Sequence, residues 1–559
     1  MAIFWELLKK NDPFLQEHLN KYGNCGNGNV NYLSSTAYEE FIEEIGKTVQ
    51  SEILKHIKKA KFDSVSLDGT KDRGHNDQLT IIYRYVEDDK PVERFFKFFC
   101  NQKHKAQDML NVLITTLEEN DLGIANCRSQ SYDNASAMNG KYNGLQALIR
   151  KKNVLAIWVP CFGHLLNLTG EGASIASKAS TSFFMFLEGL FVYFVASDIR
   201  WGLHEKIKKP EFADKGRVRV PKRIECTRWS IRGEACDAFI RSYIPILETL
   251  SIIKDDRDNV YGSKAQCEAD GLLTKMCLLE TGIMASFWND VLIILNNTSN
   301  TIQSPKILIN TATSCVRSLR NIVAEKISSF AYYENLGKEL TNVSEYKQNR
   351  GHRRNARLNS LDYAKTLEVS PEPSELFRTA EFIPLIDTFV SALEMQISAY
   401  TEMELRFGFL SNFHQISRLQ ISICAKRLLD IYKDDLESNL EMELLQFQEF
   451  CSDLLEFDPE KSSREQAMYT LIIHKEVHES FPNVEIHLRM YLTIMISNCT
   501  GERSFSKLDL IKDVLRTSMT QRRLNYLTVM CTERYIVRQI DIDTLIRIFA
   551  KKKARKVYI

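Results

Sequence analysis

The run Phe62-Asp63-Ser64-Val65-Ser66-Leu67-Asp68-Gly69-Thr70 alternates apolar and polar side chains and then breaks on a glycine. A period of two marks a strand with one buried face, because successive Cβ atoms point to opposite sides of a sheet. Two more β-type runs follow at hairpin-like spacing: Leu79-Thr80-Ile81-Ile82-Tyr83-Arg84-Tyr85-Val86, then residues 92–99. Beyond them the pattern predicts a helix over 106–119, a short strand near 124–131, a helix over 144–151 and an apolar strand over 154–159. Three strands in sequence, then alternating helix and strand, is an α/β order.

Outward from this core the pattern changes. Residues 1–60 read as a helical lead-in, with apolar residues of 38–57 at three- and four-residue spacing. The first part of the core runs over 61–230, and 231–480 is helical in pattern almost throughout. A polar, basic stretch at 344–357 and Ser370-Pro371-Glu372-Pro373 interrupt it as an expected exposed loop. Residues 481–545 complete the core, and 546–559 form a basic tail containing Lys551-Lys552-Lys553-Ala554-Arg555-Lys556. From Val484 to Ile496 every second residue is apolar, as in a strand, yet a buried helix running into a turn fits equally.

Composition narrows the class. A chain of 559 residues, 44% hydrophobic and 26% charged, has the make-up of a globular protein with three or four domains. The net charge of +1 means that a nucleic-acid partner must be held by local basic patches. Thirteen cysteines with no CxxC pair point to reduced, intracellular thiols and not to a secreted disulfide framework. The longest apolar stretch, 183–195, contains Glu188 and reads as too short to span a bilayer, and the N-terminus lacks a signal-peptide profile. The expectation is an intracellular chain with no membrane partner.

Two carboxylates stand at strand ends. Asp68 closes the first strand, and Asp133 ends the fourth in Ser131-Tyr132-Asp133-Asn134-Ala135-Ser136. Ligand sites of open α/β sheets favour that position. Two such carboxylates plus a third suit a pair of hard divalent ions in phosphoryl transfer. A strand-terminal Asp is also an ordinary turn-former or helix cap, and the residues alone leave both readings open.

Five ordered motifs then carry a family resemblance over most of the chain. Residues 62–72 with Asp77-Gln78-Leu79-Thr80 resemble the first catalytic block of hAT-superfamily (hobo/Activator-type) transposases. Residues 131–138 with Gly140-Lys141-Tyr142 resemble the second block, and Cys161-Phe162-Gly163-His164-Leu165-Leu166-Asn167-Leu168 resembles the CxxH-x-LNL signature. Thr227-Arg228-Trp229 is similar to the TRW motif. Gly501-Glu502-Arg503-Ser504-Phe505-Ser506-Lys507-Leu508 resembles the C-terminal dimerisation signature. The zinc-finger MYM-type protein 1-like branch of transposon-derived proteins is the nearest in pattern.

The resemblance implies an RNase H-like mixed sheet with a large helical insertion and a C-terminal helical dimerisation segment, α/β plus all-α in class. It implies Asp68, Asp133 and Glu502 as a DDE triad for Mg²⁺ or Mn²⁺ in DNA strand cleavage and transfer, and a nuclear location. Glu502 is otherwise an ordinary first-turn glutamate favoured by the helix dipole. Arg228 and Trp229 are implied DNA contacts, the indole stacking on a flipped base; packing at a domain junction is the alternative. Cys161 and His164 supply two ligands with no second pair at finger spacing, so no zinc is expected and the pair reads as structural or adjacent to the active site.

Departures temper the activity. The N-terminal zinc finger that would recognise transposon ends is missing from this chain, and Gly69, Met495 and Gly501 replace commoner residues. The alternative function is therefore a domesticated or decayed, non-catalytic protein acting through dimerisation and through nucleic-acid or protein binding. Self-association is expected from the apolar stripes Phe505, Leu508, Ile511, Leu515 and Leu524, Leu527, Val529, Met530. DNA is the other expected partner.

Overall fold

The structure, a computed structural model, describes residues 13, 16–17, 35–100, 105–133, 135–207, 229–304, 307–347, 372–454, 463–513 and 516–552. The chain divides into two compact units, residues 1–161 with 406–559, and residues 162–405. The second boundary pair differs from the sequence reading of 231–480 for the helical region. Periodicity shows that a segment is helical but not which body its apolar stripe meets.

In the first unit, α1 (Ser35–Ala60) leads into β1 (Asp63–Lys71), β2 (Asp77–Glu87) and β3 (Lys90–Cys100). Then come α2 (Ala106–Glu119), β4 (Cys127–Ser131), α3 (Leu145–Lys152) and the short β5 (Ile157–Trp158). The five strands form one mixed sheet in the order β3-β2-β1-β4-β5. The β1–β2 and β2–β3 pairs are antiparallel, and β1–β4 and β4–β5 are parallel. The strand expected over 63–68 is present, but it is buried on both faces over 63–67 and not on one, because helices cover the serine face too; β2 and β3 form the expected hairpin, joined at Asp88-Asp89.

The C-terminal segment completes this unit with α4 (Pro482–Thr493), α5 (Cys499–Ile511), α6 (Gln521–Thr532), α7 (Arg534–Gln539) and α8 (Ile542–Lys551). The ambiguous stretch 484–496 is thus a helix that passes into extended chain at Ile494. Its apolar residues are buried on several sides, so period two carried no information there. The edge strand β3 is closed by side chains of α6 and its C-terminal end. Asn525 Oδ1 accepts the Phe98 N–H at 2.9 Å, Asn525 Nδ2 donates to the Phe98 carbonyl at 3.0 Å, and Glu533 accepts the Phe95 N–H at 3.0 Å. An edge satisfied in this way is no longer a template for another strand.

The stripes expected to drive dimerisation are largely used inside this unit. Leu508, Leu524 and Val529 are buried in the same core as Leu67, Ile81 and Phe98, with Phe505, Ile511 and Met530 packed against it. A polar residue at Leu524 would therefore disrupt the core itself and not only an interface between chains. Leu515, Arg228 and residues 553–556 of the basic tail lie outside the described residues, as does most of the loop expected over 344–357 and 370–373.

The second unit is helical among its described residues. Its central helix Leu279–Ile302 buries Ile283, Met284, Phe287, Trp288, Val291 and Leu292, and the Trp288 indole donates to Ser180 Oγ at 2.9 Å. Helices Leu279–Ile302 and Phe330–Thr341 approach closely at two glycines: a Cβ on Gly282 would stand 2.7 Å from the Gly337 carbonyl oxygen. The helix Lys178–Val195 has, by length and composition only, what a membrane span needs, and the apolar stretch 183–195 is its C-terminal part. In this unit it buries Phe183, Phe184, Phe186, Leu187, Leu190 and Phe194.

Candidate active site

Parallel pairing of β1 with β4 sets Ser64 beside Ser129 and Ser66 beside Ser131. The pairing stops there: β1 runs on through Asp68 to Lys71, so Asp68 does not close its strand as the sequence suggested, while β4 ends at Ser131 with Asp133 two residues beyond, and Ser64-x-Ser66-x-Asp68 and Ser129-x-Ser131-x-Asp133 start side by side. Residues two apart share a face, and neighbouring strands lie about 4.8 Å apart, so both carboxylates leave the sheet on one face at one end. This repeat was legible in the sequence and is the signal that ties the two aspartates together.

The serines of that face explain how the third acid arrives. Small side chains leave room for the extended residues 494–498 to lie against β1 and β4. Met495 N–H donates to Ser129 Oγ at 2.9 Å, Ser129 Oγ donates to Ser64 Oγ at 2.8 Å, and Ser66 Oγ donates to Asn498 Oδ1 at 2.5 Å. A proline at 495 would have no N–H to give, so Met495 fits this strap by chemistry. The Asn498 N–H donates to Cys161 Sγ at 3.3 Å, while the Cys161 N–H donates to the Tyr132 carbonyl at 3.1 Å. Buried Cys161 thus links the strap to the residue just before Asp133, a structural part for the cysteine of the CxxH motif. His164 belongs to the helix Phe162–Ile175 of the other unit.

The strap ends in α5, whose first turn holds Glu502. Gly501 lies against β1: a Cβ there would stand 2.7 Å from Asn498 Oδ1 and 3.4 Å from Asp68 Cβ. The start of α5 is anchored from below. Arg84 donates through Nε to the Leu492 carbonyl at 3.1 Å and through Nη1 to Glu93 at 2.9 Å, and Glu93 accepts the Thr500 hydroxyl. Its far end is held by the buried pair Lys512–Asp72 at 2.7 Å. Asn498, Ser66, Arg84, Glu93 and Lys512 were all missed by motif reasoning, since their partners lie more than 400 residues away or on another strand.

The electrostatics of the cluster centre on Asp68. Burial raises its pKa to about 8, the negative charges of Asp133 and Glu502 push the same way, and hydrogen bonds from the Gly69 N–H and Asn498 work against them. The shift favours the protonated form of Asp68, and the charges of both other acids oppose its ionisation. Asp133 and Glu502 are each part-exposed, and Asp133 Oδ1 accepts the Ala135 N–H at 3.2 Å. Among the described residues no three His, Cys, Asp or Glu side chains are grouped tightly enough to hold an ion together. The donors are nevertheless all hard oxygens. Mg²⁺ keeps several waters and is bound through one or two carboxylates, so the donor set suits Mg²⁺ or Mn²⁺ chemically. Trp229 opens the helix Trp229–Arg241 in the other unit.

Comparison with known families gives the class. Residues 2–144 match the ZMYM1/FAM200, RNase-like domain family, and residues 447–536 match the hAT family C-terminal dimerisation region. The first sequence segment of the sheet unit thus matches an RNase-like domain and the second a hAT-type, transposase-related dimerisation region. Asp68 and Asp133 fall in the first matched segment and Glu502 in the second. Among curated proteins, the chain is similar to the mouse (Mus musculus) 52 kDa repressor of the inhibitor of the protein kinase, 23% identical over 140 residues. That match covers 25% of this chain and only 18% of the mouse protein.

Proposed function

We propose that this protein is a nuclear, hAT-type DNA strand-cleaving and strand-transferring enzyme that depends on Mg²⁺ or Mn²⁺. The observation that carries the reading is the raised proton affinity of Asp68, caused by burial and by Asp133 and Glu502 together. A buried carboxyl with two further acids beside it forms a site in need of positive charge.

Asp68, Asp133 and Glu502 would hold the metal, which when bound lowers the pKa of an attacking water and offsets charge on the phosphate oxygens. The protein's own part is positional. Asn498 and the Gly69 N–H orient the Asp68 carboxylate, the serine face admits the strap, and the anchors at Thr500 and Lys512 hold α5 so that Glu502 keeps its direction. Arg228 and Trp229 are assigned to the DNA strand beside the cleavage point. Supercoiled plasmid with Mn²⁺ is the direct test. Nicking by the wild type should fall at least 100-fold in Asp68→Asn and Glu502→Gln, in line with losses on removing electrostatic catalytic groups (~10²–10³). Equal nicking by all three proteins would remove the reading.

A second reading is a non-catalytic regulator that works through its dimerisation region and through binding. The lack of a tight three-ligand group among the described residues favours it, and the printed name of the mouse relative, a repressor, is in keeping with it. No nicking with Mg²⁺ or Mn²⁺, together with self-association of the folded protein, would select it.

A further inference from the structure

Beyond Asp133 the chain makes one helical turn, Ser136–Asn139, and then a loop to α3 that no role has yet absorbed. At its tip Tyr142 is 73% exposed, more than Tyr38, Tyr332 and Tyr535, the other exposed tyrosines among the described residues. A ring so exposed is a cost in water unless something covers it. Lys141 Nζ stands 5.8 Å from the centroid of this ring, and Lys141, Lys151 and Lys152 are exposed around it.

The backbone that carries the ring is closely held. Gly140 N–H donates to the Ser136 carbonyl at 3.1 Å, and Gly144 N–H donates to the Gly140 carbonyl at 2.9 Å. The two glycines touch so closely that a Cβ on Gly144 would stand 2.3 Å from Gly140 N. Lys151 Nζ donates to the Tyr142 carbonyl at 3.2 Å, and Gln146 Nε2 donates to the Gly140 carbonyl at 3.3 Å. A rigid aromatic face loses little entropy when a flat partner stacks on it, and the lysines supply charge for a phosphate backbone. Eight residues, four of them in the turn Ser136–Asn139, separate Tyr142 from Asp133, so the chain path between them is at most about 30 Å. That is within a few nucleotides of a strand whose phosphate lies at the acids.

We propose that the Gly140–Gly144 loop is a stacking platform on which Tyr142 receives an unpaired base of the DNA strand engaged by the acidic site. The proposal rests on the DNA-acting reading above, and its occupant follows from the exposed ring, the rigid backbone and the surrounding lysines. A single-stranded oligonucleotide carrying 2-aminopurine, with the full-length protein and EDTA present, tests it without requiring catalysis. Tyr142→Ala should weaken binding about tenfold, within the range for loss of one base–aromatic stack. Tyr142→Phe should bind like the wild type, and a blunt duplex of the same length should change less than about twofold between wild type and Tyr142→Ala. Circular dichroism should be unchanged in both variants. The platform is refuted by wild-type-like binding of Tyr142→Ala, by equal loss in Tyr142→Phe, by equal loss on duplex, or by no single-strand binding at all. Loss of nicking with Tyr142-dependent binding intact would instead remove only the catalytic reading.

Discussion

Asp68 shows how a single carboxyl trades stability for chemistry. Its folded pKa of about 8 lies above the usual carboxylate value of 3.8, so between these limits the folded state keeps a proton that the unfolded chain gives up. Stability from this group is full below about pH 4 and is lost as pH rises through 8. In EDTA, the melting temperature of Asp68→Asn relative to the wild type should rise steadily from about pH 4 to about pH 8 and level off above it. A gap that stays constant from pH 5 to 8.5 in thermal melts would show that Asp68 is not repelled as described. Gly501 belongs to the same scale. Gly501→Ala should displace the Asn498 side chain, because the new Cβ would lie 2.7 Å from its oxygen. Cross-peaks of the Asn498 amide in NMR would report that shift.

Among the elements, α5 is the decisive one, since it is held at both ends by buried polar groups. Burial opposes ionisation of Asp72, yet the Lys512 hydrogen bond, the Asn76 N–H and Gln78 hold its pKa below the usual value. Lys512→Met would leave that carboxylate buried without its cation, a loss of roughly 3–5 kcal/mol. Adding Asp72→Asn should recover part of this, and urea melts of the two single variants and the double variant measure the coupling. In the helical unit the crossing at Gly282 and Gly337 makes a similar point through packing. Gly337→Ala should destabilise by about 1–3 kcal/mol, because its Cβ would stand 2.8 Å from the Ile283 nitrogen. Unchanged denaturation midpoints would refute that contact. The apolar spacing from Phe505 located α5, whose first residue is Cys499 and whose first turn holds Glu502. Its first turn is polar and small, so no apolar stripe marks it.

For the whole molecule, a hAT C-terminal dimerisation region points to self-association. Light scattering at tens of micromolar should show a dimer or larger assembly. Because Leu524 is fully buried within one chain, Leu524→Asp should unfold the sheet unit and not yield a folded monomer; a well-folded monomeric variant would overturn this. If the protein binds DNA, its net charge of +1 requires local lysine and arginine contacts. The logarithm of affinity should then fall linearly with the logarithm of salt, by roughly one unit of slope per phosphate neutralised. Binding that ignores ionic strength would exclude a phosphate-led interface.

What the sequence by itself determined is the set of local facts. Alternation over 63–68 gave β1, hairpin spacing gave β2 and β3, and the motifs at 62–72, 131–142 and 501–508 fall in the two segments that match known families. These signals survive in one dimension because strand periodicity, turn chemistry and motif spacing act within about ten residues of chain. Tertiary structure alone decided the partition at 161 and 405, the helical state of 482–493 and the use of Leu524 in the core. It also decided the strap from Met495 to Asn498 that lies on the serines of β1 and β4 and delivers Glu502 towards two aspartates more than 360 residues earlier. Such contacts leave no period in the chain, because their energy comes from hydrogen bonds and packing between segments whose separation in sequence is arbitrary. The paired Ser-x-Ser-x-Asp repeats are the one trace of that arrangement in the sequence, and only the parallel register of β1 with β4 gives them meaning.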